Sequence, residues 1–293
     1  MSAPEVPPGK PLVFDYSLGE TLDLDAVDLP RTNADGKSVV DPTAEQKYLF
    51  DTQGWLVIPA VLTPDEIEEM RAFCRRLHCD PESLPEHQRC TVAGPLEQLT
   101  DHPVIVGIMN EFLAHPRLSS QTCYGFRMEK SSLCVRQKGE GSFVAHNGNG
   151  LLRLLGDSHN YRCIPGKAQS SLTCIVWELN EVEEGGGGTL FINGSHKAAY
   201  PAPDSARDIA SPLWSTYSCP AGSLLIFAEA TSHSTSPWTS EERDRMAIFS
   251  RYNYVDSKWH NWDPPAELLA SMPPMRQTLF RPVHWEGNLV DPV

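Results

Sequence analysis

From about residue 120 onward the chain breaks into short runs of β-forming residues, separated by glycine and polar clusters, with no helical pattern between them. The runs fall at 122–128, 133–137, 142–146, 172–179, 189–192, 223–227 and 246–254. Many short strands joined by Gly-rich turns can bury their apolar faces only against one another, so the pattern predicts a β-sandwich or barrel. Upstream, Trp55-Leu56-Val57-Ile58-Pro59 is a short apolar run suited to a strand. Thr63-Pro64-Asp65-Glu66 then supplies a capping threonine, a proline at the first helical position and an acid three residues after the cap. Ile67, Met70, Phe73, Cys74 and Leu77 follow at helical spacing, which predicts an amphipathic helix of about four turns. A weaker helical pattern runs from about 103 to 113.

Residues 1–45 carry Pro7, Pro8, Pro11, Pro30 and Pro42 without periodicity, and read as an extended Pro-rich arm. Residues 46–293 read as one domain, a β-core with an N-terminal helical layer and an irregular C-terminal cover from about 256. Net charge is −14, so the surface repels a phosphate backbone and a nucleic-acid polymer is not an expected partner. No apolar stretch approaches the roughly 18 residues of a membrane span, and MSAPEVPPGKP lacks the apolar segment of a secretory signal. The 8 cysteines contain no CxxC pair and are expected to be reduced, mostly buried thiols of a cytoplasmic protein.

Of the 10 histidines, two stand out by context. His146 ends a strand-like run and enters the turn Asn147-Gly148-Asn149-Gly150, and His233 follows the apolar run 224–227 and precedes Ser234-Thr235. Rigid β-structure can aim imidazoles from such positions at one point, and neutral imidazole is a common ligand of first-row metals. Two turn histidines would look the same on spacing alone. Gly185–Gly188 is a turn and not a phosphate loop, because no helix with Lys-Ser/Thr follows. Ser195-His196-Lys197 reads as structural, since no acid partner is evident.

Four segments in order resemble the phytanoyl-CoA dioxygenase-like family of Fe(II)/2-oxoglutarate oxygenases. They are Gly54 to Pro59 before the Thr63 helix, SLCVRQKGEGSFVAHNGNG at 132–150, CIVWELNEVEEGGGGTLFINGSHK at 174–197, and AGSLLIF at 221–227 with Glu229, His233 and Pro237-Trp238. The resemblance covers about residues 50 to 255. It implies a double-stranded β-helix (a cupin-like jelly roll) and a cosubstrate pair of 2-oxoglutarate and O2. It also implies His146 and His233 as iron ligands. An arginine about a dozen residues past the second histidine binds the distal carboxylate of 2-oxoglutarate in this family. Arg245 fits that place, with Arg243 as the fallback, and Thr235 is positioned to add a hydroxyl.

One departure from the family pattern matters most. The usual triad has an acid two residues after the first histidine; here that position is Gly148, between Asn147 and Asn149. Fe²⁺, a carboxylate and the 2-oxoglutarate dianion carry one net negative charge together, and replacing the carboxylate by chloride leaves that sum unchanged. Gly148 leaves room for the halide. This resembles the family's relatives that halogenate unactivated sp³ carbon by hydrogen abstraction and halogen rebound. Two alternatives stay open: a hydroxylase that borrows Asp157, Glu178 or Glu229 as third ligand, and an inactive jelly roll kept as a binding module. The expected substrate is a small soluble molecule. Arg136, Arg153, Arg162 and Lys167 could meet an anionic group such as that of a nucleotide, and Trp177, Tyr252, Trp259 and Trp262 could stack on a ring.

Overall fold

The computed structural model describes residues 28–115, 118–146, 159–164 and 166–283, and the backbone of two short paired strands, β1 (Val13–Asp15) and β2 (Glu20–Leu22). After them come α1 (Ala44–Gln53), β3 (Trp55–Ile58), α2 (Pro64–Cys79), α3 (Pro103–Phe112) and β4 (Phe126–Arg136). Next are β5 (Tyr161–Ile164), β6 (Lys167–Ser170), β7 (Thr173–Glu178), β8 (Gly188–Ile192), β9 (Trp214–Ser215), β10 (Ser223–Ala228), β11 (His233–Ser236) and β12 (Arg245–Tyr254). Two short helices, α4 (Ala266–Ser271) and α5 (Pro274–Gln277), close the described chain.

Apart from the separate β1–β2 and β5–β6 pairs, the strands form two facing antiparallel sheets, as the pattern of short runs demands. The larger has the order β3-β10-β7-β12-β4 and the smaller the order β11-β8-β9. Residues 139–146 run beside β11 without forming a regular strand: Gly139 N–H donates to Trp238 O, Trp238 N–H to Glu140 O, and His146 and His233 exchange both backbone bonds. The result is the expected jelly roll.

Alternation divides each strand of the large sheet between two cores. Cys174 and Val176 of β7, Leu225 and Phe227 of β10 and Ala247 of β12 point between the sheets, where they meet Phe191, Tyr217 and Trp238. Ile175, Trp177, Leu224, Ile226 and Ile248 point outward under the helices. There α2 buries Ile67, Met70, Phe73 and Cys74, and both arms of its capping box are made, Glu66 N–H to Thr63 Oγ1 at 3.3 Å and Thr63 N–H to Glu66 Oε2 at 2.8 Å. Helix α3 is buried along most of its length, so close to the 38–41 segment that a Cβ on Gly107 would lie 2.0 Å from Val40 O.

Several expectations need correction. The 1–45 arm is not simply extended. It contains the β1–β2 pair, and α1 begins at its end on a Thr43–Gln46 capping box. That helix buries only Phe50, so it leaves little periodic trace in the sequence. The arm packs on the domain through buried Asn33 and through Asp35, which accepts from Arg276 Nη2 at 2.7 Å. The C-terminal cover is partly helical, and Arg276 ties it down with further bonds to Asp101 and Glu97. Runs 122–128 and 133–137 are one strand, β4, while β5, β6, β9 and β11 carry no alternation long enough to detect. No helix among the described residues is long and apolar enough to cross a membrane.

Candidate active site

His233 opens β11 and lies opposite Phe191 of β8, with its ring 4.8 Å from that of Phe227. The paired backbone bonds with His146, 3.1 and 3.0 Å, make the two histidines direct cross-strand partners, which places both side chains on one face. Their ring centroids are 4.2 Å apart. His146 Nδ1 lies 2.7 Å from Val144 O and His233 Nδ1 lies 2.8 Å from Thr231 O. A carbonyl can only accept, so each Nδ1 carries the proton and each Nε2 presents its lone pair. Burial pushes the His233 imidazole down to about 4, so it is neutral near pH 7, the form a metal ligand must take. Tying the far nitrogen of a ligand imidazole to a carbonyl also fixes its ring orientation.

Beside this pair sits Glu229, buried between β10 and β11. Its Oε2 is 3.6 Å from His233 Nε2, and its Oε1 accepts from Arg251 Nε at 3.0 Å. Burial works against the carboxylate, but the Arg251 guanidinium offsets it, and the carboxyl is held below its ordinary range. Of the two third-ligand alternatives among the described residues, Glu229 is therefore the one next to the histidines. Glu178 is not: it lies four residues from Cys174 along β7, about 13 Å at the rise of a strand, and Cys174 is the residue that pairs with Arg251. Asp157 and Gly148, with its neighbours Asn147 and Asn149, lie outside the described residues. Among the described residues no group of three His, Cys, Asp or Glu is placed to hold a metal by itself.

Glu178 is instead the partner of Arg245, and neither side chain is more than 1% exposed. Arg245 donates through Nη2 to Glu178 Oε1 and to Tyr217 Oη (3.1 Å), and through Nε to Glu178 Oε2 at 3.2 Å, while Tyr217 Oη donates to Glu178 Oε1 at 2.6 Å. The expected carboxylate-binding arginine thus faces the interior with its fork on an internal carboxylate. Arg243 does not face it: exposed at the rim, it binds Glu181 and Glu183, and its carbonyl accepts from Trp238 Nε1. Thr235 stands two residues beyond His233 on β11, on the same face by alternation.

The substrate-side expectations fare unevenly. Trp177 and Tyr252 belong to the outer core, Trp177 against His102 and Tyr252 with its hydroxyl on Thr100 O, so neither can stack on a ligand between the sheets. Trp262 packs on Phe280. Trp259 is 43% exposed and meets His159 edge-on at 4.9 Å; its backbone N–H is anchored on buried Glu129, which also holds His260 Nδ1 at 2.7 Å. The basic cluster does not assemble among the described residues. Lys167 is tied to Glu111, Arg162 is exposed, Arg136 lies at the end of β4 and Arg153 is outside the described residues. Ser195 and His196 are structural as expected, Ser195 bonding Ile192 O and Ser232 N, and His196 Nε2 lying 2.9 Å from Asp51 O. Sequence reasoning missed Arg251, although strict alternation along β12 puts it on the face of Arg245, Ala247 and Phe249.

A jelly roll that sets two oriented imidazoles on one face, beside a buried carboxylate, is an arrangement with the chemistry to hold a metal ion. The chain belongs to the phytanoyl-CoA dioxygenase family, a family of non-haem iron, 2-oxoglutarate-dependent oxygenases, whose model matches residues 50–247. Among solved structures it is similar to HygX from Streptomyces hygroscopicus, with 24% identity over 78% of this chain and 94% of that one and a TM-score of 0.60. HygX has been solved with iron, with nickel and 2-oxoglutarate, and with hygromycin B in addition. It is also similar to SnoK, a non-haem alpha-ketoglutarate-dependent carbocyclase from nogalamycin biosynthesis, with 20% identity over 88% of this chain and 97% of that one and a TM-score of 0.54. At these identities the likeness establishes the fold. No curated protein matches the chain.

Proposed function

We propose that this protein is an Fe(II)- and 2-oxoglutarate-dependent enzyme that halogenates an unactivated sp³ carbon of a small molecule. The observation that carries the metal assignment is the His146–His233 pair, with both Nδ1 atoms committed to carbonyls and both Nε2 atoms left to one face. Iron with 2-oxoglutarate supplies an O2-derived oxidant able to take hydrogen from such a carbon. The chain's own residues orient and shield. The two imidazoles fix the metal, while Phe227 and Phe191 keep water from its inner side. Arg245 and Thr235 face the interior where the cosubstrate's distal carboxylate belongs. Gly148 in place of the family's acid leaves the third position to chloride, and Glu229 does not compete for it because its carboxylate is held by Arg251. A nucleotide is the first substrate class to screen, with exposed Trp259 as the stacking surface.

A second reading has one specific observation in its favour. Glu229 Oε2 is only 3.6 Å from His233 Nε2, so rotation away from Arg251 would make it a third ligand and the enzyme a hydroxylase. Anaerobic protein with Fe(II) and 2-oxoglutarate, titrated with chloride while the charge-transfer absorption is followed, separates the two. The halogenase reading expects a saturable change that Gly148→Asp abolishes and Glu229→Gln preserves. A band indifferent to chloride and lost in Glu229→Gln moves the assignment to the hydroxylase. Absence of any band, or a band that survives both His146→Ala and His233→Ala, removes the metal assignment itself.

A further inference from the structure

Arg136 ends β4 directly opposite Arg245 on β12. Cross-strand partners share a face, and Cys134, two residues earlier on β4, packs in the core between the sheets, so Arg136 faces the same interior as Arg245. Two guanidiniums facing each other across neighbouring strands repel unless anions compensate both. Of the described interior carboxylates near β12, Glu178 is committed to Arg245 and Glu229 to Arg251. Among the described residues Arg136 has no such partner, and its Nη1 is buried without a hydrogen bond to any of them. A buried guanidinium N–H without an acceptor is costly, and bidentate carboxylate is the group that suits its fork.

We infer that Arg136 is a second guanidinium of the cosubstrate site and binds the distal carboxylate of a 2-oxo dicarboxylic acid alongside Arg245. The inference rests on the 2-oxoglutarate dependence proposed above and adds a residue to it. With Glu178 already neutralising Arg245, one further positive charge is what an incoming carboxylate needs. Arg136 thus makes the site selective for a 2-oxo acid with two carboxylates over one with a single carboxylate.

The test is calorimetric and requires no turnover. Nickel-loaded full-length protein is titrated with 2-oxoglutarate and, separately, with 2-oxobutyrate, which lacks the distal carboxylate. Arg136→Met is expected to weaken 2-oxoglutarate binding by about 10- to 100-fold, the worth of charge-assisted bonds, and to leave 2-oxobutyrate unchanged. Arg136→Lys, which keeps the charge and loses the fork, falls between. Without ligand, Arg136→Met should unfold at the same denaturant concentration as the parent or a higher one, because an unpaired buried group has gone. Equal 2-oxoglutarate affinity in parent and Arg136→Met overturns the inference. So does an equal loss for both acids, or a loss of stability without ligand, since either would make Arg136 a structural residue. If the parent protein binds neither acid, the proposed cosubstrate dependence fails first, and the inference with it.

Discussion

The buried Arg245–Glu178–Tyr217 cluster gives the sharpest energetic test of the interior. Arg245→Met removes three of its hydrogen bonds and leaves the Glu178 carboxylate, 0% exposed, with one donor, the Tyr217 hydroxyl. Orphaning one member of a buried ion pair costs about 3–5 kcal/mol, a large fraction of the roughly 5–15 kcal/mol that holds a domain together. The double variant Arg245→Met with Glu178→Met removes both charges. The remaining loss is then mainly the unsatisfied Tyr217 hydroxyl, about 1–3 kcal/mol, which adding Tyr217→Phe should largely recover. The order of stability is therefore parent, close to the triple variant, then the double, then Arg245→Met alone. Urea unfolding near neutral pH, with slopes checked for constancy, measures each step. If Arg245→Met costs less than about 1 kcal/mol, water screens the pair and the interior is wetter than its burial implies. If the double variant is no better than the single, the charges are not coupled and the reasoning fails.

Two further predictions rest on the helical layer. In a helix, Gly to Ala ordinarily stabilises by about 1 kcal/mol, but at Gly107 the new methyl would sit 2.0 Å from Val40 O, a backbone atom that cannot swing aside. Gly107→Ala should therefore lose about 1–3 kcal/mol in the same unfolding assay, and a gain would show that the 38–41 segment yields freely. His102 caps α3 through Nδ1, and burial pushes its pKa from 6.5 down to about 4. The folded state then binds fewer protons than the unfolded one in that window. Stability should be fully present above pH 6.5 and fall on acidification toward pH 4, by about 1–3 kcal/mol from this partly buried residue. Comparing the pH dependence of the urea midpoint in the parent and in His102→Asn, which keeps a capping side chain, checks it. An unchanged slope refutes the assignment.

Local signals in the sequence determined what is local in the protein. The Thr63 capping box and the spacing from Ile67 to Leu77 specify α2, because a cap and a 3.6-residue period act within one helix. Runs 172–179, 223–227 and 246–254 became the central strands, because burial on both faces demands continuous apolar sequence. Strand-end context singled out His146 and His233. Tertiary structure decided who stands next to whom. Glu178 and Glu229 look alike as acids at strand ends, yet the register of β7 against β12 sends one to Arg245 and β10–β11 geometry sends the other to His233. Arg136 is one of four basic residues that the sequence cannot tell apart, and only its pairing with β12 sets it opposite a second arginine. Helix α1, with only Phe50 buried, has the Thr43–Gln46 capping box as a local signal but no apolar period, and β11, only four residues long, owes its form to strand pairing that a sequence window of neighbours cannot register.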